Sequence, residues 1–192
     1  VDNMETKSEL RKKILNIRNS MSKEDVIYKS SLIMNKLTDT NEYKNSKTVF
    51  VYMSFGNEVV TTDLIKKMLS ENKRVVIPYT DTKNTVLIPS ELKSIKDDLV
   101  LSPFGYYEPV YEKIKAVEPE EFDLIVTPGV VFDKRLNRIG FGKGYYDRIL
   151  CRKRKDAKAV AVAYDFQILE EIPAEQHDIK MDMIITEQWM SN

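Results

Sequence analysis

Five short apolar runs, each only long enough for a strand, constrain this chain more than any other feature. Val49 to Tyr52, Arg74 to Pro78, Asp123 to Thr127, Lys158 to Tyr164 and Met183 to Thr186 are nearly continuous in apolar residues rather than alternating. An alternating strand has one wet face, whereas a continuous run is apolar on both, so these strands belong in a sheet covered from two sides. Helical spacing fills the gaps between them. Leu10, Ile14, Ile17 and Met21 predict an amphipathic helix over residues 4 to 20 with that stripe buried. Ser22, with Asp25 three residues on, caps a second helix whose inward face is Val26, Ser30, Ile33 and Leu37. Thr61 or Thr62 caps a third, with Leu64, Ile65, Met68 and Leu69 buried. This alternation predicts a single three-layer α/β/α domain spanning residues 1–192, with a parallel or mixed central sheet. The runs at 49 and 74, joined by a helix, pair in parallel, and Thr85 to Pro89 adds a strand in a hairpin or at an edge. Glu58 then follows a strand at its carboxyl end, where open α/β sheets bind ligands, although a solvated loop glutamate fits the pattern equally well.

One segment carries chemistry. Arg138-Ile139-Gly140-Phe141-Gly142-Lys143-Gly144-Tyr145-Tyr146-Asp147 sets three glycines at alternate positions between cations, ahead of a helix-like run. Glycine lets backbone N–H groups approach a bulky anion that side chains would keep away. Arg138 and Lys143 can neutralise its charge, and the first turn of the following helix adds donors and the positive end of its dipole. The pattern predicts a phosphate cradle. It is not the Walker loop, since no Gly-Lys-Ser/Thr closes it, and Tyr145 stands where a dinucleotide fingerprint counted from Gly140 needs its third glycine. The nearest strand predicted before it is the run ending at Thr127, so the cradle does not follow a strand directly.

Any anion must be held locally, because 30 basic and 30 acidic side chains leave no net charge. That balance argues against nucleic acid or an anionic membrane as partners. A single cysteine, Cys151, cannot form an internal disulfide and reads as helix packing in a reducing cytoplasm. No run nears the roughly 18 apolar residues of a membrane span, and the interleaved charges of Glu5, Lys7, Glu9 and Arg11 do not suit a signal peptide. Lys7 and Arg11, four apart, share one helix face, which the pattern alone leaves as a solvated basic face or a ligand contact. The irregular, aromatic-rich residues 90 to 120 are expected to wall a cleft. Arg152 to Lys155 are expected to serve the negative end of a helix dipole, and His177 to lie on the surface.

With these residues in view, the chain resembles the 5-formyltetrahydrofolate cyclo-ligase family from Lys7 to about Glu187. The most specific pieces are Pro128-Gly129, Phe132-Asp133 and the glycine segment through Asp147. Lys7-x-x-x-Arg11, Glu58-x-x-Thr61, Phe104-Gly105 with Glu108-Pro109, and His177-Asp178 ahead of Asp182 and Thr186 support it. The resemblance implies an enzyme that uses ATP and magnesium to close 5-formyltetrahydrofolate into 5,10-methenyltetrahydrofolate, releasing ADP and phosphate. The formyl oxygen would be phosphorylated, and N10 of the folate would attack the resulting iminium phosphate. It further implies that Lys7, Arg11 and Arg138 to Tyr146 contact ATP, with Arg138 and Lys143 catalytic. Asp147 and Asp182 would hold magnesium, with Asp178 as a rival to Asp182. Met53, Glu58, Phe104 and Tyr145 would meet the folate. Lys143 varies to glycine among such proteins, which ranks Arg138 above it, and Val86 stands where a methionine is common. A monomer acting on a small molecule is expected. The residues themselves leave open an ATP-binding regulatory domain without chemistry, or a sugar-phosphate-handling α/β enzyme.

Overall fold

All five apolar runs become strands of one sheet in the computed structural model, which describes residues 4–192. The helices are α1 (Lys7–Asn19), α2 (Lys23–Thr38), α3 (Asn41–Lys44), α4 (Thr62–Ser70), α5 (Ile95–Asp98) and α6 (Tyr145–Leu150). The first strands are β1 (Thr48–Val51), β2 (Arg74–Asp81), β3 (Val86–Leu92), β4 (Leu99–Leu101) and β5 (Tyr107–Pro109). Then come β6 (Leu124–Thr127), β7 (Val131–Asp133), β8 (Arg138–Ile139), β9 (Lys158–Val162), β10 (Ile168–Leu169) and β11 (Met183–Ile185). The main sheet runs β11-β9-β6-β1-β2-β3, parallel throughout except for β3, which pairs antiparallel with β2 at the edge. The sheet is therefore mixed, and the fold is α/β.

Neighbouring strand residues face opposite cores, as continuous apolar runs require. Val49, Val51, Val75, Ile77, Leu124 and Val126 pack against Ile33 and Leu37 of α2 and Leu64, Ile65 and Met68 of α4. Phe50, Val76, Ile125, Ala159, Ala161 and Ile184 face the other way, toward Phe122, Phe132 and Ile149 and Leu150 of α6. Phe50 stacks on Phe122 with ring centroids 4.9 Å apart. Burying each large apolar side chain contributes about 1.5–3 kcal/mol, so these two cores drive folding. The second outer layer is less helical than expected. Beside the six-residue α6, it contains a three-stranded sheet, β10-β7-β8. That small sheet packs with α1 in a third core of Leu10, Ile14, Val130, Val131, Ile139 and Ile172.

Several local expectations need correction. The buried stripe of α1 is Leu10, Ile14 and Arg18, while Ile17 is exposed. Thr61 occupies the N-cap of α4 without capping it. Its hydroxyl instead donates to the Tyr52 carbonyl (2.8 Å) and accepts from the Ser54 N–H (3.1 Å), which closes the turn after β1. Arg152 and Arg154 do not serve a helix dipole, since α6 is too short to project much of one. Arg152 pairs with Glu118 and Glu120, and Arg154 with Asp123 and Asp156. Cys151 is exposed rather than packed. Both sheet edges are occupied: residues 115–117 bond along β3, and Trp189 to Ser191 bond along β11.

Asp133, fully buried at the end of β7, accepts from the N–H groups of Arg135, Asn137 and Ile172 and from the Asn137 amide, all at 3.0–3.1 Å. It fixes the turn that leads into β8 and hence into the glycine segment. Asp133→Ala would strand buried N–H donors, so a loss of about 3 kcal/mol is expected in urea unfolding. Asp133→Asn, which keeps one acceptor, should lose less.

Candidate active site

β1 is flanked by β2 on one side and by β6 on the other, so the chain changes direction of travel across the sheet between β1 and β6. Connections leave the two strands on opposite sides there and open a crevice at their carboxyl ends. A cleft of about 430 Å³ lies at that place. Tyr52 and Met53 follow β1 into it, and Pro128 and Gly129 follow β6. The glycine segment forms one wall from Arg138 to Asp147, and it does follow a strand directly, the short β8. Lys7 and Arg11 enter from α1, and His177 and Asp178 from the loop before β11.

Arginines shape the cradle by holding main-chain carbonyls. Arg11 Nε donates to Gly140 O at 2.7 Å, and Arg138 Nε donates to Pro128 O at 2.6 Å. A methyl group on Gly140 would come within 2.9 Å of the Arg138 guanidinium, so glycine is what lets that side chain pass beneath the loop. Gly142 (φ 101°) and Gly144 (φ 71°) have left-handed backbone, which only glycine adopts without strain. The Arg138 side chain is 7 % exposed, 3.8 Å from Asp147 Oδ1 and 5.4 Å above the Tyr146 ring. Burial lowers its pKa from the ordinary arginine value, and the Asp147 charge opposes that shift. Lys143 is exposed at the rim. With six residues, α6 adds little dipole, so the positive field comes from Lys7, Arg11, Arg138 and Lys143.

The opposite wall is different in character. Glu58 is 8 % exposed and accepts the Phe55 N–H at 2.8 Å. Burial pushes its carboxyl up to about 7, against the pull of Arg18, the Phe55 N–H and Arg138. Tyr52, buried nearby, and Tyr146, partly buried, have hydroxyls raised far above their ordinary range by the same desolvation. Phe55 meets Tyr106 edge-on at 5.9 Å, and both line the cleft with Tyr107.

Two expected site residues fall elsewhere. Phe104 is not in the lining; it is exposed and stacks on Tyr106 with ring centroids 6.0 Å apart. The chain turns sharply at Gly105 (φ 92°), which presents Tyr106 in its place. Asp182 precedes β11 and so sits at the amino end of the parallel sheet, away from the cleft. There it accepts the Ala159 N–H at 2.7 Å and lies 3.5 Å from Lys153 Nζ. Asp178 does line the cleft, bound to Lys7 at 2.7 Å. Burial alone would raise the Asp178 pKa, but Lys7 and the Glu175 N–H outweigh it and hold the carboxyl below its usual value. His177 is exposed, at the cleft rim. Met53, Glu58, Tyr145 and Ile139 through Asp147 all reach the lining as expected.

The donor set suits a polyphosphate: two guanidinium groups already oriented, two ammonium groups, and a glycine path along which backbone can approach. Among the described residues, no group of three or more His, Cys, Asp or Glu could hold a metal by itself. Asp147, half-exposed beside Arg138, fits a magnesium ion shared with phosphate oxygens.

The fold is that of an α/β protein with a cationic cleft beside a buried carboxylate at the carboxyl ends of its strands. More particularly, the chain belongs to the 5-formyltetrahydrofolate cyclo-ligase family, whose model matches residues 3–187. It is 32 % identical to the 5-formyltetrahydrofolate cyclo-ligase of Mus musculus over 177 residues, which cover 88 % of this chain and 87 % of the relative. The NMR structure of Aquifex aeolicus 5,10-methenyltetrahydrofolate synthetase superposes with a TM-score of 0.84 at 36 % identity, covering 97 % of this chain and 92 % of that one. The 5,10-methenyltetrahydrofolate synthetase of Mycoplasma pneumoniae gives a TM-score of 0.76 at 27 % identity, covering 94 % and 98 %.

Glu58 also makes stability depend on pH. Its carboxyl titrates near 4.5 in the unfolded chain and at about 7 in the fold, so between those values the native state holds a proton that the unfolded state has released. Stability therefore falls as pH rises through this window. Glu58→Gln removes the effect: relative to the parent, the variant should gain about 3 kcal/mol by pH 8 and about 1 kcal/mol or less at pH 5, measured by urea unfolding at both pH values. An equal difference at both pH values would contradict this.

Proposed function

We propose that the protein closes 5-formyltetrahydrofolate into 5,10-methenyltetrahydrofolate in a reaction that consumes ATP, requires magnesium and releases ADP and phosphate. The observation that carries this is one cleft with two unlike walls, a cationic glycine cradle on one side and a buried carboxylate among aromatic rings on the other. Family membership supports the same assignment. An amide oxygen is a poor leaving group; ATP supplies the phosphoryl group that makes the formyl oxygen leave, with magnesium balancing charge on the phosphates.

The protein's own work is positioning and charge neutralisation, and the chemistry needs no protein nucleophile. Lys7, Arg11 and the segment Arg138 to Tyr146 hold the triphosphate. Arg138 is the principal catalytic cation, since its guanidinium is desolvated and pinned, which makes its charge act strongly on phosphate oxygens. Lys143, exposed and on a flexible stem, assists. Glu58 accepts hydrogen bonds from the amino-pyrimidine edge of the folate, while Met53, Tyr106 and Tyr145 cover the ring faces. Asp147 would hold the magnesium, which would offset charge on the phosphates there. Asp178, not Asp182, is the second carboxylate within reach of the bound phosphates.

Mixing the protein with magnesium, ATP and 5-formyltetrahydrofolate should produce the methenyl absorbance, and omission of ATP should abolish it. ATP-binding protein that forms no methenyl product would exclude the assignment. Arg138→Ala should lower turnover about a hundredfold or more, and Lys143→Ala by less than about tenfold; the reverse order would transfer the main role to Lys143. For the metal, Asp147→Asn should raise the magnesium concentration for half-maximal activity by about tenfold at little cost in melting temperature. Asp182→Asn should leave that concentration unchanged, because its carboxylate holds the start of β9 at the far end of the sheet. A magnesium shift from Asp182→Asn but not from Asp147→Asn would reverse the assignment.

A further inference from the structure

Arg18 is a buried cation that forms no ion pair among the described residues. It lies on α1 directly after Leu10 and Ile14 in the inward stripe, 5 % exposed, where an apolar residue would be expected. One guanidinium nitrogen donates to Gly129 O at 3.2 Å, and its Nε is buried with no hydrogen-bond partner among the described residues. The guanidinium carbon lies 5.9 Å from the centre of the Phe141 ring, in the glycine segment. Arg18 does not line the cleft; Phe141 and Gly129 do. Its main-chain carbonyl accepts the Asn57 side-chain amide at 2.8 Å, in the same turn that presents Glu58.

A solely structural role accounts poorly for this arrangement. Desolvating a guanidinium is unfavourable by several kcal/mol, and replacing such a group by an apolar one of similar size is often neutral or stabilising. The Gly129 carbonyl also accepts from Gln167 Nε2 at 3.0 Å, so it keeps a donor if Arg18 is removed.

We propose that Arg18 is a positioning residue: from behind the cleft it holds the Gly129 turn, Phe141 and, through Asn57, the turn that presents Glu58, and it sets a positive charge behind that wall. This rests on the cleft being the folate site. Charged and titratable groups face Glu58 from every side: Arg18 on α1, Arg138 on β8, and the phenols of Tyr52 after β1, Tyr146 on α6 and Tyr164 after β9. Of these only the two arginines favour its charged form. Arg138 shares its field with Asp147, whereas Arg18 forms no ion pair among the described residues.

The test is Arg18→Met, alone and combined with Glu58→Gln, with Arg18→Lys as the conservative variant and Arg18→Gln in place of Met if Met does not fold. Glu58 titration is read without any substrate, from the unfolding stability of each Arg18 form minus that of the same form carrying Glu58→Gln, across pH. Arg18→Met should move the midpoint of that difference upward by about one pH unit, as loss of a nearby opposite charge does, and Arg18→Lys should restore it. In steady-state kinetics, Arg18→Met should lower kcat about tenfold, with the KM for ATP nearly unchanged. An unmoved midpoint, or an equal stability loss at every pH with kcat intact, overturns the proposal. A shifted midpoint in a protein that forms no methenyl product upholds the action of Arg18 on Glu58 and removes the folate assignment instead.

Discussion

Five parallel strands buried on both faces leave the sheet only its ends for binding. Nothing polar can be presented from the middle of β1 or β6 without exposing Val49, Phe50, Leu124 or Ile125, all of which are fully buried. The cleft is therefore confined to the carboxyl ends, and the reversal between β1 and β6 decides where along the sheet it opens. The turn after β1, tied by Thr61, and the turn after β6, tied by Arg138 and Arg18, are the two lips.

Arginine is used here as a structural fork as much as a charge. Arg11, Arg18 and Arg138 each hold a main-chain carbonyl of the cleft wall, at Gly140, Gly129 and Pro128 respectively. A guanidinium can do this with one nitrogen while the others remain free for a ligand, which a lysine ammonium does with less geometric definition. The cradle is consequently held in shape by the protein alone, so an anion of the proposed kind would find it already assembled.

Much of this was legible in the chain. Continuous apolar runs announced strands covered on both faces, and the spacing of Ile33, Leu37, Leu64 and Met68 announced the helices that cover one of them. The glycine segment stood out because glycines at alternate positions among cations mark open backbone, which any tight loop also uses, and its place is along the cleft. What remained hidden depended on tertiary placement. Asp182 precedes a strand, and in a parallel sheet that puts it at the opposite end from residues that follow strands. The aromatic wall came from Tyr106 rather than Phe104 because of a left-handed glycine between them, a backbone choice that composition does not reveal. β7, β8 and β10 are two or three residues long, too short for any periodicity to register. Arg18 had a signal, four residues beyond Ile14 and eight beyond Leu10, but a charged residue in an apolar stripe looks like the stripe's end.

The two sheet edges have a consequence for the protein in a crowded solution. An unpaired strand offers a row of N–H and C=O groups to any other extended chain, which is how sheets recruit copies of themselves into aggregates. Here residues 115–117 bond along β3 and residues 189–191 along β11. Both covers are single segments of irregular chain, which add no further exposed strand of their own. The β11 edge is thus covered along its length and the β3 edge from Pro89 to Glu91, which shortens the template left for strand addition.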